Sequence, residues 1–443
     1  MYRLVALCVV CVLGCARSGY DRAWVQRAVV ERTGQRLRDE GRAPQEGVSL
    51  PPGVEVSRGL TARDAVAIAL WNNPAFQAEL TQLGFARADL ADAGLLPNPT
   101  LALLLPLGPR QLEAWLAWPV EVLWQRPRRV AAAQLDVERV ARGLVQTGVD
   151  LARDARLAHA ELVLAQRRGR LRREGADTLE ALAALVETRW RAGDVGAPEA
   201  AAARFEAGTA REAALRAEGE TEVARARLHQ VLGVVAMDRA VEALSAPDGE
   251  PVMPALDRLV TVALAARPDV RAAELAMEAA AARQGWERAR VLGALARLDA
   301  FGPAPDGTGP SQATGRVGVQ VTLPLFNQNQ SGRARAEAEW TRAVWRYAQL
   351  RQQIVQEVSV ARAQVTQARA GLSVWRATVM PAADAALAAA SEALVRGEAS
   401  RQPLLEATRR RLDAQVREAE LEAELSRALA QLARSTGGHD AGG

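Results

Sequence analysis

The chain has 443 residues, its 56 strongly basic side chains are all arginine, and its net charge is only +4. Arginines and carboxylates alternate along the predicted helices instead of clustering on one face, which argues against a nucleic-acid-binding protein. The three cysteines are Cys8, Cys11 and Cys15, so the rest of the chain offers no disulfide framework and no thiolate metal site.

The N-terminus has the pattern of an exported protein. Met1-Tyr2-Arg3 precedes an apolar run, Leu4–Leu13, which has signal-peptide length and is too short for a transmembrane helix. Val12-Leu13-Gly14-Cys15 resembles a bacterial lipobox and predicts a signal peptide at 1–14 with lipidation of Cys15. An ordinary signal peptide cleaved elsewhere is the alternative. Residues 15–58 read as a polar leader segment, and no later stretch holds about 18 consecutive apolar residues, so we expect no membrane-spanning helix.

From Leu60 onward the chain repeats itself. The segment "AVAIALWNNPAFQAEL" at 65–80 aligns with "LVTVALAARPDVRAAE" at 259–274, and each predicts a short helix that stops before a proline. The repeats are 59–233 and 255–437, joined by a linker at 234–254 and followed by a flexible tail at 438–443. Each repeat reads as helix, helix, β-hairpin, long helix, turn and helix.

The hairpins are predicted at about 98–123 and 294–326. In the second, Val317, Val319, Val321 and Leu323 alternate with polar or small residues, the period of a strand. Strands of roughly 8–12 residues have the length of a tilted membrane-spanning β-strand. A soluble hairpin packed on a helix is the alternative interpretation.

A long helix follows each hairpin, at about 126–192 and 330–396. In the second, alternate steps of four and three residues from Trp340 to Ala393 reach a nearly unbroken apolar seam, the period of a supercoiled helix. Such a helix is roughly 100 Å long at 1.5 Å per residue, so we expect an elongated protein. The seam includes Ala386 and Ala389, where a partner helix is expected to approach closely. The turns are predicted at Gly193 and Gly397.

These motifs together resemble the TolC-like outer-membrane efflux family. The resemblance covers Leu60 to Gly437 and rests on the paired "AL…NP" and "AL…RPD" openings, the arginine-led long helices, "VQVTLPLFNQNQSGRARAEAE" and the two glycine turns. It implies a mainly α protein with a small β-barrel portion. It also implies a homotrimer that forms a twelve-stranded outer-membrane β-barrel, continued by an α-helical barrel through the periplasm.

The resemblance also implies a periplasmic aperture at the two turns. The family's acidic positions correspond to Glu199 in the first repeat and to Pro403 and Glu406 in the second, so a double acidic ring is in doubt at Pro403. For Glu199, a favourable carboxylate in a helix first turn is an equally good explanation. The three histidines are far apart and no catalytic motif is present, so we expect neither an enzyme nor a resident metal or cofactor.

The function implied is the outer-membrane exit duct of a tripartite efflux system. Its partners would be a periplasmic adaptor protein, an inner-membrane transporter of the RND type and outer-membrane lipid, with no nucleic acid. The segments "LLPNPTL" and "VEVLWQRPRRV" are most similar to the branch that serves heavy-metal and small-molecule resistance. A type I protein secretion duct and a periplasmic coiled-coil scaffold without a pore are the alternatives.

Overall fold

The structure is a computed structural model that describes residues 17–38, 49–105, 112–235, 242–244, 253–303, 312–396 and 402–438. The first half of the chain forms these elements: α1 Arg22–Thr33, α2 Ala62–Asn72, α3 Pro74–Leu80, α4 Gln82–Gly94, β1 Thr100–Leu104, β2 Glu113–Pro119, α5 Val122–Arg191 and α6 Ala197–Leu232. The second half forms α7 Leu256–Ala266, α8 Pro268–Ala289, β3 Gly293–Phe301, β4 Thr314–Thr322, α9 Gln330–Val374, a π-helical turn Trp375–Val379, α10 Met380–Val395 and α11 Gln402–Ser435. The fold is therefore mainly helical with four strands, as predicted, within the part of the chain described.

The chain divides into two compact units. The first comprises 1–25, 80–144 and 268–351, and the second comprises 26–79, 145–267 and 352–443. The four strands belong to the first unit, and most of the buried helical core belongs to the second.

The first unit holds one antiparallel sheet in the order β1-β2-β3-β4. Strands β1 and β2 form one antiparallel hairpin, and strands β3 and β4 form the other. The two hairpins are joined by β2 and β3, which pair from Glu113↔Phe301 to Pro119↔Leu295. Strands β3 and β4 have 9 residues each, within the predicted strand length. Strands β1 and β2 have only 5 and 7 residues, shorter than expected, and the predicted tip between them lies outside the described residues.

The second unit contains two similar corners where a helix ends against a proline turn. Gly233 caps α6 with φ +72°, and a Cβ there would lie 2.6 Å from the Cα of Asn73. Gly437 follows α11 with φ +92° and lies against Ala266 and Arg267. A left-handed residue in such tight contact is best supplied by glycine, because it has no side chain.

Part of the predicted leader segment is a packed helix. Val25 and Val29 of α1 and Leu37 beyond it are buried to 1% exposure or less. Arg142 places its guanidinium over the Trp24 ring at 4.8 Å, and Trp24 makes an edge contact with Tyr20. The segment is polar on average, so its composition did not indicate these few apolar side chains. Their burial stabilises the packing of the helix. The predicted signal peptide at 1–14 lies outside the described residues.

The linker also makes contacts. Leu60 and Ala243 form a parallel bridge, and the Ala243 backbone N–H donates to Oε1 of Gln166 at 2.9 Å. Residues 236–241 and 245–252 of the linker and 439–443 of the tail lie outside the described part of the chain.

The predicted seam is buried from Ile354 to Leu372, whereas its first position, Trp340, is 42% exposed. Six consecutive seam positions, Ile354, Val358, Ala361, Val365, Ala368 and Leu372, are buried. The π-helical turn then inserts an extra residue, with the N–H of Met380 bonded to the carbonyl of Trp375. The turn precedes Pro381, which has no N–H and would clash with the carbonyl four residues back in a regular helix.

The inserted residue rotates every later side chain. Ala382, Ala386 and Ala389 are exposed in the chain, whereas Ala383, Leu387 and Ala390 are half-buried. Helix α10 packs on α11, so the half-buried set faces α11. Ala386 and Ala389 therefore face away from α11 in the single chain, and their contact with a neighbouring copy stays a prediction.

Among the residues described, one helical stretch passes a composition test for a membrane span. Gln330–Val395 holds an 18-residue window of mean hydropathy 1.2, none of which is buried. Length and composition alone do not make this stretch a membrane span.

Candidate functional site

The sheet has one wholly apolar face. Cross-strand pairing places these residues on it: Leu101, Leu103, Ala114, Leu116, Trp118, Ala294, Ala296, Leu298, Ala300, Val317, Val319 and Val321. Val317 is 85% exposed and Val319 69% exposed, so this face is uncovered in the single chain. An apolar face of this kind on a sheet matches the lipid-facing side of an outer-membrane β-barrel. In the described residues β1 and β4 are sheet edges, and strands in lipid need their edges paired.

The opposite face, which we call the polar face, holds all four charged side chains of the described strands together with apolar residues such as Leu104 and Leu295. It carries a cluster of contacting side chains. Arg297 pairs with Asp299, and its guanidinium lies 5.2 Å from the centre of the Trp115 ring. Trp115 and Arg316 are the cross-strand neighbours of Asp299 on either side. Arg316 in turn lies 5.5 Å from the Phe301 ring centre. We call Trp115, Arg297, Asp299 and Arg316 the polar-face cluster.

The turn at Gly193 has the geometry that the sequence predicts. Gly193 has φ +86°, its N–H bonds to the Trp190 carbonyl at 3.0 Å, and the Asp194 N–H bonds to the Arg189 carbonyl at 2.9 Å. These two bonds form a Schellman motif, which ends α5. Arg204 of α6 lies over the Trp190 ring at 5.5 Å, so the two helices of this hairpin are tied together close to the turn.

Both predicted aperture carboxylates lie on exposed helix surface. Glu199 is in the first turn of α6, where the helix dipole favours a carboxylate. Glu406 lies in α11, and its Oε2 is 3.5 Å from Nη2 of Arg410 one turn later. The sequence interpretation did not consider this partner, which offsets part of the carboxylate's charge. Gly397, Cys15 and His439 lie outside the residues that the structure describes.

An ionic cluster that the sequence interpretation missed lies in the second unit. The Arg267 side chain is 1% exposed, and its Nη1 is 2.6 Å from Oε2 of Glu357. Arg434 pairs with the same Glu357 and also with Asp150, the latter at 2.7 Å. Gln353 donates a 2.8 Å hydrogen bond to Glu357. The cluster therefore joins α5, α9, α11 and the α7–α8 junction.

The surroundings of Glu357 set its pKa. Burial alone would raise the pKa, but hydrogen bonds from Arg267 and Gln353 and the charges of Arg434 and Arg267 outweigh burial, so the pKa lies below the ordinary 4.5. The available sequence signal was the "RPD" arginine, a lone charge directly after the apolar helix α7. Its partner, 90 positions further along the chain, could not be read from spacing.

His159 is the second buried polar group that sequence reasoning treated as an ordinary helix residue. It is 3% exposed, and its Nε2 lies 2.7 Å from the Leu60 carbonyl. Burial lowers the pKa of His159 below 6.5, although the Leu60 hydrogen bond and the Asp64 charge raise it. Within the described residues, no group of three or more His, Cys, Asp or Glu side chains is arranged to hold a metal ion.

Comparison with known proteins agrees with this geometry. Residues 259–438 match the sequence profile of the family described as outer membrane efflux protein. The chain is 25% identical over 366 residues to the cobalt-zinc-cadmium resistance protein CzcC of Cupriavidus metallidurans. The aligned region covers 82% of this chain and 86% of CzcC.

The fold is similar to solved structures over nearly its whole length. CusC, whose structures concern transmembrane channel formation, matches with a TM-score of 0.70 and 18% identity over 91% of this chain and 98% of CusC. The CmeC outer membrane channel of Campylobacter jejuni matches with a TM-score of 0.71 and 15% identity over 90% of each chain. At such identities the structures establish the fold. Residues 259–438 match the outer membrane efflux protein family, and the chain as a whole has the fold of solved outer membrane channels.

Proposed function

We propose that this chain is the exit duct of a tripartite efflux system and that three copies close its β-barrel in the outer membrane. The observation that carries the proposal is the sheet, which has one apolar face, one polar face and two free edges. Three four-stranded sheets joined edge to edge would give a twelve-stranded barrel with the polar faces around a lumen. The long helices would continue it as an α-helical barrel through the periplasm, where an adaptor protein and an inner-membrane transporter engage it.

The two halves of the protomer are proposed to be internal repeats. The order of helix, hairpin, long helix and returning helix is the same in 62–232 and 256–435. The matched corners at Gly233 and Gly437 support the alignment, since each glycine packs against the residues around one of the two helix-ending prolines. A repeat of this kind would place two long-helix hairpins in each protomer.

The cargo is proposed to be small molecules or divalent metal ions. The support is the similarity to CzcC, a cobalt-zinc-cadmium resistance protein. The transporter partner would then be of the RND type. A metal ion would be cargo that passes through the duct and not a resident cofactor.

The aperture is proposed to lie at the turns of Gly193 and Gly397, with Glu199 and Glu406 near it. Threefold symmetry would bring three copies of Glu406 into a ring, and like charges in a ring favour entry of cations. Because Arg410 shares the charge of Glu406, we expect Glu406→Arg to shift ion selectivity in planar bilayers by more than Glu406→Ala does. Glu199→Ala should change less. Unchanged selectivity in Glu406→Arg trimers would exclude Glu406 from the aperture.

The assembly can be tested by cross-linking the two sheet edges. Ala102→Cys on β1 would be combined in turn with cysteines at Arg316, Gly318 and Gln320 on the same face of β4. We expect one combination to give covalent trimers in outer-membrane fractions under oxidising conditions. Ala102→Cys with a cysteine at Arg297 on the interior strand β3 is the matched control. No covalent trimer in any combination, together with no channel conductance, would favour the scaffold alternative.

The cargo class can be tested in a strain that lacks the gene. We expect the strain to become sensitive to cobalt, zinc or cadmium salts and to recover with the intact gene. Loss of an exported protein without a change in metal or small-molecule tolerance would favour the secretion alternative.

A further inference from the structure

The polar-face cluster is the most highly organised set of charged side chains on the sheet. Arg297 is held from two sides, by the Asp299 carboxylate and by the face of Trp115. The side chain of Asp299 is only 22% exposed and that of Arg297 41% exposed. A guanidinium stacked on an aromatic ring has fewer accessible rotamers than one in open water, so its charge is fixed in position.

Charges on this face are arranged in successive cross-strand rows. Arg297 lies opposite Gly318 and is the charged residue of its row, and the next row pairs Asp299 with Arg316. Glu113 lies opposite Phe301 in the row beyond. The described part of the face thus carries two arginines and two carboxylates, and Asp299 is the carboxylate that pairs with Arg297.

We infer that Arg297 and Asp299 set the local electrostatic potential of the barrel lumen and thereby its discrimination between cargo ions of opposite charge. The inference rests on the proposed duct, since only closure of the sheets turns the polar face into a lumen. Three copies of the cluster would then form a belt, in which Asp299 offsets the positive charge of Arg297. Trp115 has a positioning role, because it holds the arginine and carries no charge.

The position opposite Arg297 offers a local reporter of this potential. Gly318 faces Arg297 across the β3–β4 ladder, and a Cβ built there meets no heavy atom within 4 Å. A cysteine can therefore replace this glycine without steric conflict. Its reaction rates with a cationic and an anionic methanethiosulfonate report the potential in the lumen, and they do not depend on ion flow through the aperture.

The experiment uses the full-length trimer in liposomes and compares the ratio of anionic to cationic reaction rates at Gly318→Cys. Adding Arg297→Gln should lower this ratio about threefold or more at about 0.1 M salt, and Asp299→Asn should raise it by a similar factor, because a unit charge a few ångströms from the thiol lies within the Debye length of about 10 Å. Arg297→Lys should leave the ratio nearly unchanged, since the charge is retained. The parent without Gly318→Cys gives the background labelling.

Two further reporters separate this inference from the proposed duct. Thr322→Cys lies on the same face about four residues along β4, roughly 13 Å away at strand spacing, and should respond much less to Arg297→Gln. Val319→Cys lies on the apolar face and should resist both reagents. Reaction at Val319→Cys but not at Gly318→Cys would overturn the duct assignment itself. Normal accessibility at Gly318→Cys with a rate ratio insensitive to both Arg297→Gln and Asp299→Asn would overturn only the belt.

Discussion

The buried cluster around Glu357 permits a quantitative prediction of stability. One carboxylate serves two arginines, and the side chains of Arg267 and Arg434 are only 1% and 13% exposed. Glu357→Gln removes the negative charge that faces both of them. Taking away one member of a buried ionic group costs about 3–5 kcal/mol, because the opposite charge stays in a poorly solvated place.

The converse substitution should cost less. Arg267→Met keeps most of the side-chain volume and leaves Glu357 with Arg434 and Gln353, so the loss is near that of one hydrogen bond to a charged group, about 1.5–3 kcal/mol. The free energy of unfolding would be measured by urea titration of the detergent-solubilised protein, followed by circular dichroism. The double variant completes a thermodynamic cycle for the pair.

A matched exposed carboxylate serves as the control. Glu392 pairs with Arg396 one turn later, and their side chains are 63% and 55% exposed. Glu392→Gln should change the free energy of unfolding by less than about 0.5 kcal/mol. The reasoning is refuted if Arg267→Met costs as much as Glu357→Gln, or if the cycle shows no coupling between the two residues.

Four further outcomes are expected. Because the pKa of Glu357 is lowered in the folded state, its stabilising effect is present above the ordinary pKa of 4.5 and is lost as the pH falls through the folded pKa. In Glu357→Gln, the free energy of unfolding should therefore depend less on pH in this acid range. The lowered pKa of His159 predicts a loss of stability as the pH falls below 6.5, and a His159→Gln variant whose stability varies equally with pH would contradict this. Ala383→Trp should destabilise the chain by about 1–3 kcal/mol through overpacking against α11. Ala386→Trp, on the exposed side of α10, should reduce trimer yield without that loss of stability. Equal unfolding curves for the two variants would count against the π-helical shift. Cys15→Ser should abolish labelling by a fatty-acid probe, and retained labelling would show that the lipobox interpretation is wrong.

Local patterns in the sequence were sufficient for most of the secondary structure. Alternation of apolar residues in 317–323 predicted β4, and the glycines at 193 and 233 predicted two helix ends, because strand period and left-handed turns depend on residues close together in the chain. The order of these elements was also enough to indicate the family. The seam positions from Ile354 to Leu372 are buried for the same reason, since helical periodicity accumulates residue by residue.

Tertiary structure decided what depends on distant residues. The position of the extra residue before Pro381, and hence the face presented by Ala386, depended on how α10 packs against α11. Arg267 and Glu357 meet only because two helices far apart in sequence lie side by side. The contact of Arg297 with Trp115 likewise requires the β2–β3 register, which is set across a separation of about 180 residues. Periodicity shows which face of an element is apolar, whereas the partner of that face is chosen by the packing of the whole chain.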